Sequence, residues 1–236
     1  MATVSLGWVN TVIAAGLVAQ GHGSLILPGR KQPARFATQG SRLFTHIWPG
    51  GSVLCFCYGS NMSKRRLQAR VPSARFFSVA ELPGHRLRFH KAAMDGSAKC
   101  DAEETGDPND RVIGVIYDIA DNEKPDLDRH EALGRGYEEK QVELLVAGER
   151  RLHAWMYFAT RINESLKPFH WYKDHVLVGA RENGLPADYI ALIEAVEAIE
   201  DPRRSRRERE LGIYRDTGAL SLTGTDRGVN QGGTCQ

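Results

Sequence analysis

The sequence has few cysteines, no hydrophobic run long enough for a membrane helix and no excess of charge of one sign. Its 236 residues carry 31 lysines and arginines against 29 aspartates and glutamates, a net charge of +2. This balance gives no reason to expect nucleic acid or a membrane as a partner. The four cysteines, at positions 55, 57, 100 and 235, form no CxxC pair. Such spacing favours core packing in a reducing compartment over a disulfide or metal site, so we expect a cytoplasmic protein that holds no metal.

The first 50 residues differ from the rest in having little charge and little periodicity. The first charged residue is Arg30. The apolar run at residues 12–19 has no lysine or arginine ahead of it and is too short to cross a bilayer, so it is a poor export signal. We predict a loosely ordered N-terminal extension at 1–50, one domain at 51–202, and a tail at 203–236 that is basic at first and then disordered.

An apolar run at residues 53–58 stops abruptly at Gly59. A continuous apolar run of this length fits a strand that is buried on both faces. Gly59 permits a positive φ or a close backbone approach, and residues 63–70 are good helix formers that end at Pro72. A strand, a glycine turn and a helix start bring free backbone N–H groups to one spot, which suits an anion such as a carboxylate. A purely structural turn is the alternative.

The middle of the chain is rich in strand patterns. Residues 94–110 have little apolar content and predict a loop. Apolar patterns predict two short strands, at residues 74–80 and 86–89, on either side of Pro83-Gly84. They also predict a buried strand at 111–119 and a hairpin formed by 140–146 and 152–159. Because strands do not alternate regularly with helices, the pattern favours an α+β fold: a mixed, mostly antiparallel sheet or barrel with a few helices.

A short helix is predicted from residue 125 or 126, with Gly134 just past its end. On this helix Glu131 lies four residues after Leu127, so both face the core if Leu127 does. A buried carboxylate costs free energy unless it is paired, and such a group can exchange protons near neutral pH as a general base or acid. The alternative is a surface glutamate on a ragged turn. His130 fits a surface or packing role better than a catalytic one.

A third informative stretch begins at Trp171 and Tyr172, two aromatic residues that open a predicted helix at 172–181. Either aromatic side chain can simply pack. His170 and His175 are five residues apart, which matches no usual metal-ligand spacing. A second helix, with Pro186 in its first turn, is predicted to carry the apolar residues Tyr189, Leu192, Ile193, Val196 and Ile199. The mixed basic run that follows fits a solvated helix end or tail better than a nucleic-acid site.

Three motifs in this order resemble the gamma-glutamylcyclotransferase family. They are Tyr58-Gly59-Ser60-Asn61, then Leu127-Asp128-Arg129-His130-Glu131 with Gly136-Tyr137 after it, and Tyr172 seven residues before the run at 179–186. The resemblance extends from about residue 55 to residue 202. One departure is Ala132, where the family usually has glycine.

The resemblance implies a small mixed, mostly antiparallel β-barrel flanked by helices. It implies an enzyme that converts a gamma-glutamyl compound to 5-oxoproline with release of an amino acid or amine, without a cofactor. Glu131 would be the proton acceptor, and Tyr172 would contact the substrate. The strand and loop that would bind the glutamyl group comprise Cys55, Phe56, Cys57, Tyr58, Gly59 and Ser60.

The chemistry agrees with these residues. In the cyclisation, the substrate's own α-amine attacks its own γ-carbonyl, so the protein needs neither a nucleophile nor a metal, and one carboxyl group can move the protons. Cys55 and Cys57 would then support the pocket. Two alternatives remain: a gamma-glutamylamine cyclotransferase of a biosynthetic pathway, and a non-catalytic binding module on the same barrel. We expect a small-molecule substrate, no nucleic acid and no membrane; either a monomer or a homodimer is possible.

Overall fold

Five strands close into a barrel in the computed structural model, which describes residues 50–147 and 150–215. Neighbouring strands run antiparallel, except where the first and last strands meet in parallel at Cys55 and Trp155. The predicted mixed, mostly antiparallel barrel is therefore confirmed. In barrel order the strands are β1 (Ser52–Cys57), β5 (Arg111–Ala120), β2 (Arg75–Pro83), β6 (Tyr137–Val146) and β7 (Arg150–Ala159).

The buried strand predicted at residues 111–119 is β5, and Gly114 within it allows β1 to approach closely. A Cβ atom at Gly114 would lie 2.5 Å from the carbonyl oxygen of Cys57 and 2.8 Å from the Phe56 ring. Any larger residue would therefore push β1 away from β5. Because β1 leads into the Gly59 turn, this packing fixes where the turn lies at the end of the barrel.

The strands β3 (His85–Ala92) and β4 (Ala98–Glu104) form a separate two-stranded sheet. In this sheet Cys100 of β4 lies against the Gly59 turn. The prediction of a loop at 94–110 is wrong over β4. Its buried residues include Ala98, Cys100 and Ala102, small side chains that give little apolar signal in the sequence. Pairing with β3 stabilises the strand instead. The strands on either side of Gly84 exist as predicted, but β2 joins the barrel while β3 joins this second sheet.

The helices occupy the outside of the barrel. The predicted helix around Leu127 ends at Glu131, and Ala132 caps it in the left-handed conformation at φ 54°, so Gly134 is not the residue that ends it. The helix after Pro186 ends at Ala195, so Val196 and Ile199 were wrongly assigned to it; Ile199 instead pairs with Phe169. The helices are α1 (Lys64–Gln68), α2 (Lys124–Glu131), α3 (His170–Glu182), α4 (Ala187–Ala195) and α5 (Arg204–Leu211).

The basic segment after residue 202 forms α5 and a 3-10 turn at Gly212–Tyr214. Tyr214 is buried, and Glu210 forms an ion pair with Arg66 of α1 at 2.9 Å. The predicted boundary at 202 remains a prediction, and contacts cross it. Most of the predicted extension and the end of the tail, including Cys235, lie outside the described residues. Within the described ranges, no helix has both the length and the apolar character to span a membrane.

Candidate active site

A cavity of about 330 Å³ opens at the end of the barrel where β1 stops. It brings together the turn after β1, the end of α2 and the start of α3, which are the three stretches that the sequence singles out. Cys55 is buried but does not line the cavity, unlike the other predicted site residues. The lining residues are Phe56, Cys57, Tyr58, Gly59, Ser60, Asn61, Cys100, Glu131, Tyr137, Tyr157 and Tyr172.

The turn after β1 is held tightly against its neighbours. Ser60–Met62 forms one 3-10 turn, closed by a hydrogen bond of 3.0 Å from the Met62 N–H to the Gly59 carbonyl. A Cβ atom at Gly59 would lie 3.0 Å from the Cβ of Cys100 and 3.4 Å from the Tyr172 hydroxyl oxygen. Of the two reasons for glycine that the sequence offers, close packing rather than a left-handed conformation is the one found here, because an added Cβ would press on Cys100.

Glu131 lies on the core side of α2, one turn after the fully buried Leu127. Its side chain is only 16% exposed. The Asn61 amide donates a hydrogen bond to its Oε1 at 2.8 Å, and Arg70 Nη1 donates another at 2.7 Å. Arg70 also donates to the Asn61 Oδ1 at 2.9 Å, which closes a three-membered network. The helix therefore presents a paired, partly buried carboxylate to the cavity, as its spacing from Leu127 predicts.

Tyrosine hydroxyls form the polar part of the cavity wall. The Tyr172 hydroxyl accepts a hydrogen bond from the Cys100 N–H at 3.0 Å, and Tyr137 donates to the Cys100 carbonyl at 2.6 Å. The Tyr58 hydroxyl donates to the carbonyl of Tyr157 at 2.5 Å. Burial raises the pKa of Tyr58, Tyr137 and Tyr172 well above the usual value. These hydroxyls stay protonated at neutral pH, and Tyr172 keeps a proton to donate.

The thiols near the cavity are unreactive. Burial raises the pKa of Cys55 and of Cys100 to about 12, and raises that of Cys57 well above its usual value. A thiol that stays protonated is a poor nucleophile and a poor metal ligand. Across residues 50–147 and 150–215, no group of three or more histidine, cysteine or acidic residues is arranged to hold a metal ion.

Sequence reasoning missed several residues at the site. Arg70 lies in a stretch recognised only as a helix former, and Tyr157 lies in a predicted hairpin strand. Cys100 lies on β4, which is predicted as a loop. Each of these residues is brought to the cavity by strand order or helix packing, which leaves no local signal in the sequence. Asn61 and Tyr137 stand inside the quoted motifs but without a predicted role.

The chain is similar to known proteins in both sequence and structure. A model of the AIG2-like family matches residues 111–193. Human gamma-glutamylcyclotransferase is 33% identical over 150 residues, which cover 62% of this chain and 79% of the human protein. The chain belongs to the gamma-glutamylcyclotransferase family. The mouse gamma-glutamylcyclotransferase is 30% identical over 176 residues, which cover 73% of this chain and 93% of the mouse protein.

A solved structure of a gamma-glutamyl cyclotransferase superposes with a TM-score of 0.62 at 27% identity. The match covers 68% of this chain and 98% of that structure. The resemblance read from the three motifs is thus confirmed at the level of family and fold.

Proposed function

We propose that this protein is a gamma-glutamylcyclotransferase, which converts a gamma-glutamyl compound into 5-oxoproline and a free amino acid or amine. The observation that carries the proposal is the Glu131 carboxylate, held by Asn61 and Arg70 at a cavity whose wall also includes the Gly59 turn. A carboxylate that can accept and return a proton at this position favours an enzyme over a binding module. Cofactor independence, a cytoplasmic location and a place in glutathione metabolism remain predictions.

The cavity suits the glutamyl half of such a substrate. Its lining combines the Glu131 carboxylate, the Gly59 turn and tyrosine side chains, polar groups that match a short chain with an amine, a carboxylate and an amide. The backbone around Gly59 and Ser60 would hold the α-carboxylate or the developing oxyanion, and the Tyr172 hydroxyl would donate to the same moiety. A folded glutamyl chain places its α-amine against its γ-carbonyl, so proximity alone lowers the barrier substantially.

Glu131 would then move the protons. The α-ammonium loses a proton to the carboxylate, the amine nitrogen attacks the γ-carbonyl carbon, and the new C–N bond closes the ring. The protonated carboxyl returns its proton to the leaving nitrogen as the original C–N bond breaks, and the ring nitrogen then gives its second proton to the carboxylate, from which it passes to the released amine. Because Asn61 and Arg70 both donate to Oε1, Oε2 is the oxygen that we assign to the substrate.

The leaving group would lie beyond the cavity, near Lys91. This residue is 8% exposed, its ammonium lies 4.6 Å from the centroid of the Tyr137 ring, and a Cβ at Gly136 would lie 3.3 Å from its Nζ. Among the described residues, none forms an ion pair with it. Burial lowers the pKa of Lys91, and the nearby Glu131 charge opposes this shift. A cation here favours a leaving amino acid, which carries a carboxylate, over a simple amine.

A substrate panel tests the proposal. Purified protein is incubated with gamma-glutamyl dipeptides, gamma-glutamyl amines and glutathione, with and without a chelator, and 5-oxoproline is measured. We expect 5-oxoproline from at least one class, unchanged by the chelator, and a preference for leaving amino acids that Lys91→Met weakens. No 5-oxoproline from any substrate would contradict the proposed function. A chelator-sensitive activity restored by a divalent ion would contradict the metal-free mechanism.

A further inference from the structure

A second buried polar network extends from the C-terminal end of the described chain to the turn that lines the cavity. The Tyr214 hydroxyl donates to the Ser63 Oγ at 2.9 Å and contacts His175 Nδ1 at 2.8 Å. On the other side of the ring, His175 Nε2 lies 2.8 Å from Arg66 Nη1. Arg66 in turn pairs with Glu210 at 2.9 Å. Ser63, His175 and Tyr214 are at most 1% exposed.

The direction of these hydrogen bonds follows from the chemistry of the groups. An arginine can only donate, so His175 Nε2 must accept, and the ring must carry its proton on Nδ1. Nδ1–H therefore donates to the Tyr214 oxygen, which leaves the Tyr214 hydrogen for Ser63. Burial lowers the pKa of His175 to about 3, so the neutral ring required by this chain is the form present at physiological pH.

Ser63 links this network to the candidate active site. It directly follows the 3-10 turn at Ser60–Met62 and is the N-cap of α1. A Cβ atom at Gly179 would lie 2.4 Å from the Ser63 nitrogen, so α3 packs directly on the same point. The helix that begins there leads to Arg70, the partner of Glu131. Movement of Ser63 would therefore displace both the turn and the arginine that orients the carboxylate.

We propose that residues 204–214, here named the C-terminal clamp, position the active-site turn through Tyr214 and Ser63. Tyr214 is a positioning residue: it fixes Ser63, and Ser63 fixes the turn and the start of α1. Glu210 adds a second function, because it balances the charge of Arg66 one helical turn from Arg70. This inference rests on the proposed cyclotransferase activity, and the turn itself offers a readout that does not need that activity.

The test compares Tyr214→Phe and Ser63→Ala, singly and together, in the full chain. Loss of one hydroxyl hydrogen bond should lower kcat for 5-oxoproline formation about 2- to 12-fold, with KM within about twofold. Since both variants break the same bond, the double variant should be no slower than the slower single variant. Hydrogen exchange of the amides at 59–63, which include the bonded Met62 N–H, should accelerate.

Tyr189→Phe is the matched control, because Tyr189 is also buried but lies on α4, away from the cavity lining. It should leave kcat and exchange at 59–63 unchanged. Exchange in the β6–β7 hairpin monitors global unfolding and should not change in Tyr214→Phe. Unchanged kcat in Tyr214→Phe, multiplied effects in the double variant, or unchanged exchange at 59–63 would each overturn the clamp. If wild-type protein forms no 5-oxoproline, the proposed function fails and the exchange result alone decides the clamp.

Discussion

Two arginines, Arg66 on α1 and Arg70 two residues beyond its end, belong to two different buried networks. The side chains of Arg66 and Arg70 are similarly shielded, at 12% and 16% exposure. Arg70 pairs with Glu131 at the cavity, whereas Arg66 contacts His175 and Glu210 on the side of the C-terminal clamp. Two arginines four residues apart thus have different surroundings. We call the Arg70 network open, because it ends at the cavity, and the Arg66 network closed, because it ends inside the protein.

The difference lies in where each network ends. The Arg66 network passes through His175 and Tyr214 and terminates on Ser63, inside the protein. A closed chain of hydrogen bonds of this kind rigidifies its surroundings. The Arg70 network ends on the Glu131 carboxylate, which lines the cavity. We propose that the Oε2 atom of this carboxylate accepts a hydrogen bond from the substrate. Chemistry is expected only at the second, and substitutions can separate the two.

The largest effect is expected at the open end. Glu131→Gln keeps the size of the side chain and an oxygen that can accept from Asn61 and Arg70, but it removes the group that accepts and returns a proton. We expect kcat for 5-oxoproline formation to fall by on the order of 10²–10⁴, with an unchanged thermal midpoint. A folded Gln variant that retains more than about a tenth of wild-type activity would rule out the role of Glu131.

The paired substitutions Arg70→Met and Arg66→Met test the comparison directly. Arg70→Met leaves the carboxylate without its charged partner, and a misplaced catalytic group should lower kcat/KM about 10- to 100-fold. Arg66→Met instead strands Glu210 and an acceptor nitrogen of His175, so it should lower the free energy of unfolding by roughly 1–3 kcal/mol. Steady-state kinetics and denaturant melts on both variants provide the measurements. Equal losses of activity in the two variants would show that the networks do not differ as described.

A smaller effect is expected at Tyr172, a cavity tyrosine whose hydroxyl accepts from the Cys100 N–H. Tyr172→Phe keeps the ring and removes the hydroxyl. If that hydroxyl donates to the glutamyl group, kcat/KM should fall about 2- to 12-fold, equivalent to roughly 0.5–1.5 kcal/mol. The factor should be the same for every leaving group in the substrate panel. A factor that varies strongly with the leaving group would place Tyr172 on the other side of the scissile bond.

The sequence predicts Glu131 and Gly59 at the cavity, but neither Arg70 nor the contacts of His175 and Tyr214. Glu131 is predicted from the helical face that it shares with Leu127, and Gly59 from the apolar run that it ends. The structure contains both the helix and the strand on which these predictions depend. His175 and Tyr214 carry no such pattern. Their contact spans 39 residues of chain, and Tyr214 reaches Ser63 across 151 residues. Only the packing of α5 on α1 and α3 brings them together, whereas the basic composition of α5 predicts a solvated helix end or tail.

The closed network makes one further prediction, in stability rather than activity. His175 has a folded-state pKa of about 3, lowered by burial from a usual value of 6.5. As the pH falls below 6.5, the unfolded chain binds a proton at this residue while the folded chain does not. The free energy of unfolding therefore falls progressively as the pH is lowered from 6.5 to about 3. Above pH 6.5, His175 is neutral in both states and does not affect stability.

This titration should appear as a slope that one substitution removes. Between pH 6 and 4.5 the wild-type free energy of unfolding should fall more steeply than that of His175→Gln, by up to about 1.4 kcal/mol per pH unit. The ion pair between Glu210 and Arg66 is kept in both proteins, so Glu210 should contribute equally to both slopes. Urea melts at several pH values give the slopes, and His153→Gln, on an exposed position of β7, is the matched control and should keep the wild-type slope. Parallel slopes for wild type and His175→Gln would mean that His175 is protonated in the fold, and the direction of hydrogen bonds from Arg66 to Ser63 would then be wrong.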